Sequence, residues 1–225
     1  MLAKAGLQRR KLTPAEVYDI EPALRAEVLG GYYTDSDFTG DIHKFTNGLA
    51  EAARQAGVNF AMNTQITDIQ HEGDTPHLFW EDLDGASSEQ RFDGVVITAG
   101  VMSRKLAAAL GDSVNVYPVK GYSITVDLKD AVAQAAAPTV SLLDDAAKIV
   151  TARLGKDRFR VAGTAEINGI NYDIRADRIA PLTRWVQDNF PDISTKSVIP
   201  WAGLRPMMPS MMPHIGAGRK KGVFY

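Results

Sequence analysis

The feature that most constrains this chain is the run Asp93-Gly94-Val95-Val96-Ile97-Thr98-Ala99-Gly100-Val101-Met102-Ser103. Three consecutive apolar β-formers fit a strand buried on both faces, as in a sheet flanked by helices. Thr98, Ala99 and Gly100 then make a small-residue turn at which backbone can approach a ligand closely. Ser103 is placed to cap a helix running to about Leu110, and that helix N-terminus would favour an anionic group. The competing reading is an ordinary strand-to-helix turn, which this motif alone does not exclude.

The flanking sequence supplies further elements of an α/β unit. Asp41 is placed to cap a helix whose apolar face is Phe45, Leu49, Ala52 and Ala53, with Gly57 closing it. Val58 to Met62 reads as a buried strand, and Gln65 to Gln70 follows with Ile66 and Ile69 at its apolar positions. Leu78-Phe79-Trp80 and Gln90-Arg91-Phe92, joined through Asp84-Gly85, read as a hairpin. From Asn115 the pattern changes: Tyr122, Ile124 and Val126 alternate with Ser123, Thr125 and Asp127, which points to antiparallel strands. Runs near Ile149 and from Phe159 to Ala162 continue that pattern. A helix from about Ala176 to Phe190 presents Ile179, Leu182, Trp185 and Val186 on one face, and Pro191 stops it.

Near the start, Thr13-Pro14-Ala15-Glu16 combines a cap, a proline at the first helical position and an acid in the first turn, so a short helix should run to about Ile20. Arg9, Arg10 and Lys11 before it read as a solvated helix end rather than a nucleic-acid patch. Gly30-Gly31-Tyr32-Tyr33 reads as a turn into a short strand. At the other end, Val223-Phe224-Tyr225 reads as a strand cut off partway, without a visible partner.

Composition removes whole classes of function. The net charge of -2 over 225 residues gives no footprint for a polyanion, so nucleic acid is not an expected partner. Zero cysteines exclude disulfides, thiolate metal sites and cysteine nucleophiles, and suit a reducing compartment such as the cytoplasm. The longest apolar runs fall far short of the roughly 20 residues of a membrane span, so any membrane contact is expected to be peripheral. His43, His71, His77 and His214 lack metal-ligand spacing, and Ser103 and Ser123 lack a nucleophile elbow. Neither a metal centre nor a hydrolase is expected.

Two further motifs bear on chemistry. In Trp201-Ala202-Gly203-Leu204-Arg205-Pro206, followed by a Met- and Pro-rich stretch to Gly216, an arginine among apolar neighbours can hold a carboxylate bidentately. A structural ion pair is the alternative for Arg205, and core filling is the ordinary role for the methionines. In Tyr117-Pro118-Val119-Lys120-Gly121-Tyr122 a cation sits between a rigid proline and a permissive glycine, and Lys120 reads as a solvated surface lysine.

Taken in order, Thr39-Gly40-Asp41, Ala56-Gly57-Val58, Asn63-Thr64-Gln65-Ile66, Val95 to Ser103, Pro118-Val119-Lys120-Gly121, Val161-Ala162-Gly163-Thr164-Ala165-Glu166 and Gly203-Leu204-Arg205-Pro206 resemble the FAD-dependent D-amino-acid dehydrogenases. These belong to the wider family of D-amino-acid oxidase, glycine oxidase and sarcosine oxidase. The resemblance covers nearly the whole chain. It implies an α/β fold, α+β overall: a partial Rossmann-like FAD-binding domain over residues 36–113, an antiparallel-sheet substrate domain from residues 1–35 and 114–200, and a return to the FAD domain over 201–225.

It further implies FAD as cofactor, a D-amino acid as substrate and a quinone or other respiratory acceptor as partner. Ile66 matches the position whose backbone meets the adenine, and Thr98, Ala99 and Gly100 match the turn against the adenosine-pyrophosphate region. Arg205 matches the arginine that pairs with the substrate carboxylate, whereas no residue is assigned a catalytic acid or base role. Tyr32, Tyr33, Tyr122 and Glu166 are associated with the substrate domain without a defined role. The sequence departs from the family in carrying no Gly-x-Gly-x-x-Gly turn; Gly216-Ala217-Gly218-Arg219-Lys220-Lys221-Gly222 has the wrong spacing and no helix after it. Ser210 also stands where many relatives carry an aspartate. The expectation is therefore a fragment that holds FAD poorly, with an oxygen-using oxidase or an inactive remnant as the alternatives.

Overall fold

The computed structural model describes residue 6 and residues 8–225. In chain order the elements are β1 (Arg10–Leu12), α1 (Pro14–Ile20), β2 (Gly31–Tyr33), α2 (Ile42–Gln55), β3 (Gln65–Glu72), β4 (Thr75–Glu81), β5 (Ser87–Arg91) and β6 (Val95–Val96). After them come α3 (Ser103–Ala109), β7 (Tyr117–Asp127), α4 (Ala131–Ala136), β8 (Leu143–Asp144) and β9 (Ile149–Leu154). The last are β10 (Arg158–Ile167), α5 (Ala176–Asn189), β11 (Val198–Met207) and β12 (Val223–Phe224). The result is a mixed α/β fold with antiparallel sheets, and it divides into two compact units.

The first unit comprises residues up to Gly48, Lys120–Glu166 and Tyr172–Gly203. Its centre is a five-stranded sheet in the order β11-β7-β10-β9-β8, in which β9 runs antiparallel to both β10 and β8. The alternation of β7 puts Tyr122, Ile124 and Val126 into a core shared with Phe159 and Val161 of β10. Leu182, Trp185, Val186 and Phe190, from α5 and the residue that ends it, close over the same core. Two of these contacts are aromatic: Phe190 stands edge-on to Phe159 at 5.8 Å and tilted to Trp185 at 5.9 Å. The Trp185 indole N–H, which burial would otherwise strand, donates to Asp144 Oδ2 at 2.9 Å.

Helix α1 begins as its sequence predicts. Thr13 and Glu16 form a reciprocal capping box, with Pro14 at the first helical position. Glu21 ends the helix and is buried, its carboxylate accepting from the backbone of Thr139 and Val140. Arg10 and Lys11 belong to a strand rather than to a helix end, because β1 pairs antiparallel with β2 and sets Arg10 opposite Tyr33. Lys120 is likewise no surface lysine: it is fully buried on β7, its ammonium 5.1 Å from the centroid of the Tyr122 ring.

The second unit comprises Leu49–Val119, Ile167–Asn171 and Leu204–Tyr225. Its three-stranded meander has the order β3-β4-β5, antiparallel throughout, so the expected hairpin is present with a third strand added. Val58 to Met62 forms no strand; Val58, Phe60 and Met62 are exposed, since a strand requires a paired neighbour and this segment has none among the described residues. The apolar face expected of α2 is also open, with Phe45 65 % and Leu49 59 % exposed. Among the described residues no helix is long and apolar enough to cross a membrane.

Candidate functional site

The site is built around β6. Val95 N–H donates to the Gly222 carbonyl and Ile97 N–H to the Phe224 carbonyl, both at 2.8 Å, which fixes β6 parallel to β12. The terminal apolar run thus has the partner that is invisible in sequence. Gly222 makes the approach: its φ is +74°, and a Cβ there would come within 2.9 Å of the Asp93 carbonyl. Beyond Ile97 the chain turns through Thr98 and Ala99, and Gly100 enters a short 3-10 segment at φ +57° with open space before it. Ser103 is the first helical residue of α3 and not its cap; Met102 holds the cap position without a side-chain hydrogen bond, since the 3-10 turn delivers the chain already helical. At seven residues α3 is too short to supply the anion-favouring terminus expected of it.

In the same unit, a cleft of about 460 Å³ opens beside this turn. Ile97, Thr98, Gly100 and Ser103 form one wall, Pro206, Met207 and Met208 another, and the stretch from Met211 to Ile215 the rim. The lining is apolar, with His214 and Tyr225 its titratable side chains. Their rings meet edge-on at 5.5 Å. Burial pushes the Tyr225 phenol well above its usual range, and its donation to Asp112 Oδ2 at 2.9 Å adds to the shift, so it stays neutral. Asp112 also accepts from the Arg219 backbone at 3.1 Å, fastening the turn that precedes β12. Among the described residues no carboxylate lines the cleft, whose largely apolar walls suit an apolar group.

The residues singled out from sequence fall at different places. Thr98 and Gly100 line the cleft, and Ala99 lies exposed between them. Arg205 is exposed on β11 next to Pro206, which does line it. Ile66 lies on β3 opposite Trp80, where the ladder shifts register between Ile66 and Asp68. Sequence reasoning named His214, Tyr225 and the methionines without giving them a place in a site; the methionines, read there as core filling, line the cleft. His77 is buried between Glu72 at 3.5 Å and Glu89 at 3.7 Å, and its Nδ1 has no hydrogen-bond partner among the described residues. Among the described residues no cluster of His, Cys, Asp and Glu could hold a metal ion.

A family model described as FAD dependent oxidoreductase matches residues 1–225, the whole chain. The chain belongs to the FAD dependent oxidoreductase family. Within that family it is 53 % identical to "D-amino acid dehydrogenase 3" of Mesorhizobium japonicum, over all of this chain and 54 % of the relative. A D-amino acid dehydrogenase of Dechloromonas aromatica is 37 % identical, again over all of this chain and 54 % of the relative. The chain therefore spans about half the length of the curated relatives it matches. Glycine oxidase from Geobacillus kaustophilus has the same fold, with a TM-score of 0.85 at 23 % identity, covering 99 % of this chain and 58 % of that one. L-proline dehydrogenase from P.horikoshii aligns with a TM-score of 0.79 at 16 % identity, covering 99 % and 59 %.

The residues present fit part of an FAD. Open space in front of Gly100, hydroxyls at Thr98 and Ser103, and apolar walls suit an uncharged portion of a nucleotide cofactor packed against backbone. Among the described residues no lysine or arginine lines the cleft to meet a pyrophosphate.

Proposed function

We propose that this chain carries part of an enzyme for the FAD-dependent oxidative deamination of D-amino acids to 2-oxo acids and ammonia, with electrons passed to a respiratory acceptor such as a quinone. The observation that carries this reading is an apolar cleft beside a glycine turn, lined by Thr98, Gly100 and a wall of methionines. Such walls position reactants and exclude water, and leave the redox chemistry to a bound group. The names of the relatives supply the substrate class.

In this reading FAD, when bound, supplies the two-electron acceptor for the substrate Cα–H. Thr98, Ala99 and Gly100 pack against its adenosine side, and the backbone at Ile66 meets the adenine; the register shift after Ile66 supports this by releasing backbone groups from the ladder. Arg205 holds the substrate carboxylate through its planar fork. The second unit contributes to the FAD-binding domain and the first to the substrate domain. An acceptor in the inner membrane would make any membrane contact peripheral.

The test is anaerobic. The chain supplied with FAD is mixed with D-alanine or L-alanine, and flavin absorbance is followed before oxygen or a soluble quinone is admitted. Where the chain takes up FAD, bleaching by D-alanine alone, with faster recovery on quinone, is the expected result. Faster recovery on oxygen would instead make the protein an oxidase. A chain that binds FAD and is bleached by neither isomer overturns the reading, and one that binds no FAD is the inactive remnant.

A further inference from the structure

Two arginines project from one side of β10, and they are treated differently. Phe159 and Val161 are fully buried in the core, so the alternation of the strand turns Arg158 and Arg160 to the opposite side of the sheet. Arg158 Nη2 donates to Asp41 Oδ2 at 2.7 Å and is neutralised there. Arg160 meets no carboxylate within salt-bridge distance among the described residues. Its Nη2 donates to the Ser123 hydroxyl at 3.3 Å, and its guanidinium carbon stands 5.3 Å from the centroid of the Trp201 ring.

Both partners are held in place. Ser123 is 2 % exposed on β7, between the core residues Tyr122 and Ile124. The Trp201 indole lies along β11 over Gly203, so close that a Cβ at Gly203 would come within 2.0 Å of it. One face of the indole is still open, since Trp201 is 53 % exposed. A half-buried guanidinium between a neutral hydroxyl and an aromatic face is oriented but not neutralised, and most of its N–H donors are unused by these partners.

We propose that Arg160, Ser123 and Trp201 form a binding site for a small organic carboxylate with an apolar or aromatic body. The guanidinium fork takes the carboxylate, the Ser123 hydroxyl fixes the fork, and the indole packs against the body of the ligand. The site lies wholly on the sheet of the first unit and does not rest on the assignment of Arg205.

The probe is phenylacetate, titrated into the 225-residue chain and followed by calorimetry and tryptophan emission, with phenylacetamide as the uncharged control. Saturable binding of the acid, at least tenfold weaker for the amide and for Arg160→Gln, is the expected result. Arg158→Gln should bind as the parent does. Trp201→Leu, which leaves the cation in place, should weaken binding and remove the emission change even if Arg160→Gln fails to fold. Equal affinity for acid and amide, or undiminished binding in Trp201→Leu, overturns the site. Loss of binding in Arg205→Ala with retention in Arg160→Gln also overturns it, because the carboxylate would then sit on Arg205.

Discussion

The Tyr122 hydroxyl donates to Glu166 Oε2 at 2.8 Å, joining two strands of one sheet across 44 residues of sequence. The other carboxylate oxygen meets Arg178 Nε at 3.1 Å and Arg175 Nη1 at 3.3 Å. The Tyr122 hydrogen bond, then those two guanidiniums, hold the Glu166 carboxyl below the usual carboxylate range. Asp144 is lowered as well, first by the Ala147 backbone N–H and then by the Trp185 indole. A carboxylate whose pKa is depressed by folding stabilises the native state fully above its unfolded value and loses that contribution as pH falls through the folded one. Denaturation midpoints should therefore be flat near neutrality and fall on acidification below the ordinary carboxylate range. Glu166→Gln should flatten that acid limb, and an unchanged limb would assign it to other groups.

Glu21 ends α1 and caps a different segment. Its Oε2 accepts from Thr139 N–H at 2.7 Å, Thr139 Oγ1 at 3.2 Å and Val140 N–H at 3.1 Å. Glu21→Ala removes the shared acceptor of two part-buried backbone donors and is expected to cost about 1–3 kcal/mol in urea unfolding. Glu21→Gln, which keeps the acceptor oxygen, should cost less.

Phe159 is fully buried at the centre of the first unit's core. Phe159→Ala is expected to destabilise by about 3–5 kcal/mol through lost burial and a cavity. The same loss should lower Tm by about 2–4 °C per kcal/mol in a chain of this size.

Gly222 has φ +74° and no room for a side chain beside the Asp93 carbonyl. Gly222→Ala should cost more than about 1 kcal/mol and loosen the pairing of β12 with β6. Faster hydrogen exchange at the Val95 and Ile97 amides, both bonded to this segment, is the measurement.

The proposed function gives Arg205 to the substrate and not to the cofactor. With FAD bound, Arg205→Ala should raise KM for D-alanine at least tenfold, about 1.4 kcal/mol of lost binding, while flavin content stays unchanged. Loss of flavin on substitution would move Arg205 to the cofactor.

Elements whose signals lie within a few residues were legible in sequence. The Thr13 and Glu16 capping box, the buried face of α5 and the alternation of β7 follow from local periodicity and capping chemistry, which any tertiary setting leaves intact. Thr98 and Gly100 were legible as a turn for the same reason. What depends on partners far along the chain was not. Lys120 looks like a surface lysine until β7 is set in the middle of a sheet, and Val223-Phe224 has no partner until the chain brings it beside Val95. Val58 to Met62 carries β-forming residues and still forms no strand, because a strand is completed by hydrogen bonds that its own sequence cannot supply. By itself the sequence determined the mixed α/β class, the capping box of α1 and the core-facing side chains of α5 and β7, but not the cap of α3 or the burial of the apolar face of α2. Tertiary structure alone decided that Lys120 is buried and that Arg160 stands against Ser123 and Trp201, because burial and side-chain partners are properties of distant neighbours.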